Sequence, residues 1–169
     1  SNGVSPSKSI QVKEPTIKLD RETANIYPPA TKTVTFTVTV NGVQGNSGVT
    51  WTSGNTKVAT VSNGKVTAVG KGTATITAKA NGKLAKAKVT VKDPYANVSP
   101  TSGTIKVGKT LQLTTNYAPA STGTPSYSSS NKKVATVDSK GVVKGVKAGT
   151  ATITVKVNGV TAKAEITVK

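Results

Sequence analysis

The sequence WTSGNTKVATVSNGKVTAVGKGTATITAKANGKLAKAKVTVK, residues 51–92, returns in closely similar form as YSSSNKKVATVDSKGVVKGVKAGTATITVKVNGVTAKAEITVK, residues 127–169. The segment VATV at 58–61 recurs at 134–137, and GTATIT at 72–77 recurs at 149–154. One extra residue, in the turn before Gly141, is the only gap that this alignment needs. The chain is therefore predicted to contain two copies of one domain.

The repeat alternates apolar and polar side chains, which is the pattern of a β-strand with one buried face. No segment shows the three-to-four-residue spacing of an amphipathic helix. Val, Ile and Thr are frequent, and these β-branched residues favour strands further. The side chains predicted to point into the two cores are Ala74, Ile76, Ala78, Ala80, Ala85, Ala87, Val89 and Val91, and then Ala151, Ile153, Val155, Val157, Ala162, Ala164, Ile166 and Val168.

Further strands are predicted on both sides of this repeat. Residues 31–40 are expected to form one continuous strand, because four apolar side chains alternate with threonines there. Asn-Gly pairs such as Asn63-Gly64 are expected to form two-residue hairpin turns, since both positions require positive φ. Trp51 is predicted to face the core from a central strand rather than to form a glycan-stacking platform. Tyr127 takes its place in the second copy, where its hydroxyl would need a hydrogen-bond partner if buried.

Seven or so short strands per copy, separated by turns, are typical of a β-sandwich. The predicted fold class is therefore all-β, with two tandem immunoglobulin-like sandwiches. The predicted domains are residues 15–92 and 93–169, with Asp93-Pro94 as the linker and residues 1–14 as an N-terminal segment. Residues 9–15 resemble residues 88–94, so this segment is interpreted as the tail of a preceding repeat. The chain is accordingly expected to be a window from a longer tandem array.

The composition excludes several kinds of chemistry. The 169 residues include neither Cys nor His, which removes disulfides, thiolate nucleophiles and the commonest general base. The six carboxylates leave little for a calcium site. A Ser-Lys pair is not expected to act, because a lysine that serves as general base must be buried and these lysines lie at outward strand positions. An internal isopeptide bond is disfavoured for the same outward placement.

The remaining candidate groups are weak. Among the carboxylates only Asp20 and Glu22 share a turn, and they are expected to lie in an exposed loop. The acceptor pattern Asn97-Val98-Ser99 is a three-residue coincidence with a glycosylation site. No catalytic, cofactor-binding or metal-binding residue is therefore predicted, and the protein is not expected to be an enzyme.

The order of motifs in the repeat resembles the group 2 bacterial immunoglobulin-like domain. That family's pattern is a Trp, a Ser-rich turn, Val-Ala-x-Val, a Gly turn, Val-x-Ala and Gly-Thr-Ala-x-Ile, and both copies carry most of it between residues 15 and 169. The first copy departs from it at residues 27–30, where Tyr-Pro-Pro-Ala replaces the usual Gly step. The resemblance implies a module repeated in bacterial surface proteins, surface-layer proteins, secreted glycoside hydrolases or phage virions, and it carries no catalytic residue.

The predicted function is a non-catalytic structural or adhesion module, a stiff spacer in an extracellular, cell-surface or secreted bacterial protein. Its expected partners are the neighbouring domains of a longer chain. The net charge of +17 leaves open an alternative, a module that binds cell-wall polysaccharide, teichoic acid or a host surface glycan or protein through basic faces. A decoration domain on a virion surface is a further alternative. Specific nucleic-acid binding is not expected, because no dense basic run with interleaved aromatics occurs. No apolar run is long enough to span a membrane.

Overall fold

The computed structural model describes residues 13–120 and 122–169, and every regular element in these ranges is a β-strand. The first domain contains β1 (Ile17–Leu19), β2 (Thr23–Ile26), β3 (Thr33–Thr35), β4 (Val38–Val40), β5 (Val43–Gln44), β6 (Thr50–Ser53), β7 (Ala59–Ser62), β8 (Lys65–Ala68), β9 (Gly72–Ala80) and β10 (Lys83–Val91). The second contains β11 (Tyr95–Ser99), β12 (Ser102–Ile105), β13 (Thr110–Gln112), β14 (Thr114–Ala118), β15 (Ser126–Ser129), β16 (Ala135–Val137), β17 (Val142–Gly145), β18 (Gly149–Val157) and β19 (Val160–Val168).

Each domain has one four-stranded sheet, in the order β2-β10-β9-β6 and β12-β19-β18-β15. In these sheets β2 runs parallel to β10, and β12 runs parallel to β19. The other pairings in the two sheets are antiparallel. The opposing layer consists of β3-β8-β7 with β1-β4-β5 in the first domain, and of β13-β17-β16 with β11-β14 in the second. The two domains are therefore β-sandwiches with the same plan.

A separate hydrophobic core fills each sandwich. The buried residues of the first core lie between Leu19 and Val91, and those of the second lie between Val98 and Val168. All side chains predicted to face inward are buried or packed against these cores. Among the described residues no polar or charged side chain is buried. Burial of aliphatic surface, worth about 1.5 to 3 kcal/mol per fully buried side chain, is thus the main source of stability.

The predicted Asn-Gly turns are confirmed. Asn63 and Gly64 have φ values of 46° and 79°, and the pairs at 41–42, 81–82 and 158–159 are also in the left-handed region. Two such residues give the turn a twist that matches the flanking strands. These turns fix the register of the hairpins β7-β8, β9-β10 and β18-β19.

The prediction of one continuous strand over residues 31–40 is wrong. The segment divides into β3, which pairs with β8, and β4, which pairs with β1. Phe36 and Val38 remain buried across the break, so the alternation of side chains persists. Because each half hydrogen-bonds to a different neighbour, apolar alternation could not reveal the change of partner.

The second domain begins with a strand that the sequence analysis missed. Tyr95–Ser99 forms β11, which pairs antiparallel with β14 and buries Val98. Five residues with one buried apolar side chain give too little alternation to be recognised. The alternation of Ile105 and Val107 predicts that both lie in an early strand, but β12 ends at Ile105 and Val107 is 52% exposed. Residues 9–12, part of the segment interpreted as the tail of a preceding repeat, lie outside the described residues.

Trp51 faces the core, but it does not lie on a central strand. It belongs to β6, the edge strand of its sheet, and is only partly buried against the first core. The sequence could not show this position, because β6 pairs with β9 on one side and ends the sheet on the other.

Candidate functional site: the repeated motif and the basic surface

The Ser-x-Asn turn after the aromatic residue is built from side chains that bond to the backbone. Ser53 Oγ donates to the Ala59 carbonyl at 2.6 Å and accepts from the Asn55 N–H at 3.3 Å. Asn55 Oδ1 accepts from the Lys57 N–H, as Asn131 Oδ1 does from Lys133 in the second domain. These bonds satisfy the backbone of a turn that enters the strands β7 and β16. The most characteristic polar residues of the repeat are therefore structural.

The hydrogen-bonding group of the aromatic residue, Trp51 or Tyr127, has different surroundings in the two domains. Tyr127 Oη lies 2.9 Å from Thr115 Oγ1, which supplies the partner expected for that hydroxyl. In the first domain Val38 takes the position of Thr115. Each of the two residues follows the strand break in the layer that opposes the four-stranded sheet. Val38 cannot accept a hydrogen bond, and Trp51 Nε1 is buried with no partner among the described residues. Sequence reasoning did not find Thr115, which lies outside the repeated motif.

In each domain an amide side chain hydrogen-bonds to the backbone at the strand break. The residue that supplies this amide lies at a different position in the two domains. Asn46 Nδ2 donates to the Phe36 and Asn63 carbonyls at 3.0 and 3.1 Å, and its Oδ1 accepts from the Val38 N–H. In the second domain Gln112 Nε2 donates to the Leu113 and Lys140 carbonyls, which are the corresponding acceptors, at 2.8 and 2.9 Å. The same backbone requirement is thus met from a loop in one copy and from a strand in the other.

Asp20 and Glu22, the two carboxylates considered for catalysis, do not form a catalytic pair. Partial burial raises the pKa of Asp20, but hydrogen bonds from the Arg21 side chain and the Thr37 N–H, with the charge of Arg21, outweigh it and leave that pKa below its usual value. Asp20, which follows β1, thereby hydrogen-bonds to the backbone of Thr37 in the break between β3 and β4. Glu22 is exposed, and its contact with the sheet is through its carbonyl, which accepts from the Lys88 N–H. This arrangement is that of a structural ion pair.

Two cavities lie beside residues considered above: one of about 290 Å³, which Asp20, Arg21 and Glu22 help to line, and one beside Tyr127. The cavity beside Tyr127 has a volume of about 240 Å³ and is lined by Ser128, Ser129, Lys132, Thr136 and Val137, without a carboxylate. No group of three or more Asp or Glu residues that could hold a metal occurs within residues 13–120 and 122–169. In those same ranges there is no helix long and apolar enough to cross a membrane.

The lysines that the structure describes are all exposed, as predicted, but they are not evenly distributed. Residues 94–169 contain ten lysines and two acids. Five of these lysines, which we call the lysine pole, lie at one end of the second domain: Lys106, Lys109, Lys133, Lys144 and Lys147. The sequence did not reveal this cluster, because its members come from four separate segments.

Backbone hydrogen bonds bring those segments together. The Lys109 N–H donates to the Lys106 carbonyl, and the Gly145 N–H donates to the Lys109 carbonyl, both at 3.0 Å. Lys144 lies opposite Thr110 in the pairing of β13 with β17. The Lys147 N–H donates to the carbonyl of Val134, the residue after Lys133, at 3.2 Å. The five exposed side chains therefore leave the backbone within a few residues of one another.

Two tandem sandwiches with separate aliphatic cores and no buried charge among the described residues define a class of protein, the immunoglobulin-like β-sandwich proteins. The family described as bacterial Ig-like domain (group 2) matches residues 15–91 and again residues 95–168. The chain belongs to this family, as the sequence resemblance indicated. The expected fold class, two tandem immunoglobulin-like β-sandwiches, is confirmed.

Two curated relatives are much longer than this chain. An uncharacterised protein of Clostridium acetobutylicum is 34% identical over 150 residues, which are 84% of this chain and 15% of that protein. A 3-O-alpha-D-galactosyl-alpha-L-arabinofuranosidase of Bifidobacterium longum subsp. longum is 56% identical over 52 residues, 30% of this chain and 5% of the enzyme. The chain thus spans about a seventh or less of these relatives. Modules of this kind occur as parts of large multidomain proteins.

Solved structures with a similar fold include the S-layer protein SbsC. One crystal structure of it is 22% identical, with a TM-score of 0.48, and the match covers 96% of this chain and 28% of that one. A structure of its domains 4 and 5 is 23% identical, with a TM-score of 0.46, covering 94% of this chain and 99% of that one. A tandem of titin domains is 14% identical with a TM-score of 0.45 and covers 91% of this chain and 66% of that one. At these identities the likeness concerns the fold alone.

Proposed function

We propose that this chain is a non-catalytic spacer, a load-bearing part of a larger extracellular, cell-surface or secreted bacterial protein. The observation that carries the proposal is the parallel pairing of the second strand of each domain with its last strand, Thr23–Ile26 with Lys88–Val91 and Ser102–Ile105 with Glu165–Val168. When a domain is pulled from its two ends, these paired strands are drawn in opposite directions along their length. Their hydrogen bonds are then loaded together in shear and not one after another.

The joint between the domains supports the same role. We place the domain boundaries at 15–92 and 93–169, with residues 1–14 as a separate N-terminal segment. β10 ends at Val91, β11 begins at Tyr95, and Pro94 in between has a fixed φ and no N–H. Asp93 in this joint forms a salt bridge with Lys71 of the first domain. A joint this short transmits force with little slack.

Pulling on single molecules tests the proposal. With handles at both ends of the chain, we expect two discrete unfolding events, one per sandwich. Each event should lengthen the chain by about 250 to 270 Å, the extended length of some 75 residues at about 3.3 to 3.6 Å each, less the distance between the ends of the folded domain. Gradual extension without discrete events would contradict the proposal. So would one event that releases both domains together.

A second candidate function is attachment to an anionic polymer, such as a wall polysaccharide or teichoic acid, and the lysine pole favours it. Ten lysines against three acids in residues 93–169 give the second domain a strong positive field. Adhesion to a host glycan or protein and decoration of a virion are further roles open to such modules. No feature of the described residues favours either of them over the spacer.

A further inference from the structure

The lysine pole is specific to the second domain. The duplicated first domain provides an internal comparison at each of its five positions. Strand pairing and the shared hydrogen bonds align the five positions with Tyr27, Lys32, Lys57, Thr67 and Gly70. Only two of these are lysines. Since both copies have the same fold, the fold itself does not require the other three lysines.

The charge of the lysine pole is not neutralised by neighbouring acidic side chains. Asp138 lies at the opposite end of β17, where its carboxylate accepts from the Lys140 and Val142 N–H groups. Glu165 lies on the four-stranded sheet, between Ser102 and Thr152 in the ladder. The corresponding end of the first domain differs, because Lys71 there is paired with Asp93.

Two exposed apolar side chains lie among these lysines. Val107, 52% exposed, stands between Lys106 and Lys109, and Val146, 44% exposed, stands between Lys144 and Lys147. The Gly108 N–H donates to the Gly145 carbonyl at 2.9 Å, which brings the two valine segments side by side. The surface therefore combines positive charge with a small apolar contact area.

We propose that the lysine pole binds a linear polymer in which an anionic group repeats along the chain. This inference rests on the second candidate function and assigns that function to one surface. Ammonium groups on flexible stems bind phosphate or carboxylate as point charges and tolerate variable spacing. The two valines contact the carbon skeleton between the charges.

The composition of the pole favours such a polymer over a nucleic acid. Bases of single strands stack on aromatic side chains, and the pole contains none. Arginine, whose planar guanidinium is the side chain of choice for nucleic-acid recognition, is absent from residues 94–169.

Binding of two probe polymers tests the proposal: inorganic polyphosphate carries phosphate, polygalacturonate carries carboxylate, and dextran serves as the neutral control. The pole variant replaces Lys106, Lys109, Lys133, Lys144 and Lys147 with Gln. A matched variant removes the same charge from exposed lysines elsewhere: Lys18, Lys65, Lys79, Lys88 and Lys156. All ten side chains are exposed, so both variants are expected to melt as the parent chain does.

We expect the parent chain to bind at least one charged probe saturably at low salt and dextran not at all. The pole variant should bind at least tenfold more weakly than the matched variant. The plot of log affinity against log salt should become shallower by about 3.5 to 4.5 for the pole variant, since each of the five ammonium groups that meets an anion releases about 0.7 to 0.9 counterions. Preference for polyphosphate or for polygalacturonate identifies the anionic group.

Equal losses in the two variants would overturn the assignment to this pole while leaving a diffuse attraction through the whole surface. No saturable binding by the parent chain would overturn both the assignment and the second candidate function, and the spacer role would be untouched. Tighter binding to single-stranded DNA than to polyphosphate at equal phosphate concentration would also overturn the proposal, in favour of a nucleic-acid partner.

Discussion

At the scale of single residues, the two domains show how one buried aromatic position is accommodated by its neighbour. Tyr127 is partly buried and its hydroxyl bonds to Thr115, whereas the first domain has Val38 at the position of Thr115 and its Trp51 Nε1 has no partner among the described residues. The need for a partner could be predicted from the tyrosine alone, because a buried hydroxyl without one costs free energy. The identity of the partner could not, since Thr115 lies twelve residues away on a strand of the opposite layer.

A double-mutant cycle measures this pair. Tyr127→Phe and Thr115→Val should each lower the free energy of unfolding of the second domain by about 1 kcal/mol, because each leaves one hydroxyl unpaired. The double variant should lose less than the sum of the two, with a coupling of at least about 0.5 kcal/mol. Denaturant unfolding checks this. Strictly additive losses would show that the 2.9 Å contact contributes nothing.

At the scale of elements, the long hairpins and their Asn-Gly turns could be predicted almost to the residue. The alternation of apolar and polar side chains predicts strands over residues 73–80 and 83–92, and β9 and β10 occupy Gly72–Ala80 and Lys83–Val91. Local rules suffice for these elements, because each hairpin pairs with itself across a two-residue turn. The division of β3 from β4 could not be predicted, because it depends on two distant partners, β8 and β1.

The lysine pole could likewise be predicted only in part. The exposure of the lysines could be predicted from strand alternation. The clustering of five of them at one end of the second domain could not, because it depends on the packing of segments up to 41 residues apart in the sequence, Lys106 to Lys147.

Replacing the amide side chain that hydrogen-bonds at the strand break tests how much it stabilises each domain. Asn46→Ala should lower the free energy of unfolding of the first domain by about 2 to 3 kcal/mol, because it leaves the partly buried Phe36 carbonyl and Val38 N–H without their partner. Gln112→Ala should lower that of the second domain by about 1 to 2 kcal/mol, since two bonds are lost there. Hydrogen exchange at the Val38 amide gives a second measurement. An Asn46→Ala variant as stable as the exposed control Gln44→Ala would contradict this role.

At the scale of the whole molecule, the separate cores predict that the two domains unfold independently. The first core contains no residue beyond Val91, and the second contains none before Val98. Each domain is small, with an expected free energy of unfolding of about 4 to 11 kcal/mol at 0.05 to 0.15 kcal/mol per residue. Loss of one large side chain should therefore destabilise its own domain severely and leave the other unchanged.

Trp51→Ala is the variant that tests this independence. Because Trp51 is only partly buried on an edge strand, the loss should fall at the lower end of the range for such truncations, about 3 kcal/mol. In a domain of this size that loss lowers the midpoint of the first domain's thermal transition by about 12 to 24 °C. Calorimetry of the parent chain, of this variant and of the matched variant Tyr127→Ala resolves which transition moves. The two variants should shift different transitions, because the aromatic residues belong to different cores. A single melting transition that Trp51→Ala leaves unchanged, or one that both variants shift alike, would mean that the halves of the chain do not fold as separate units.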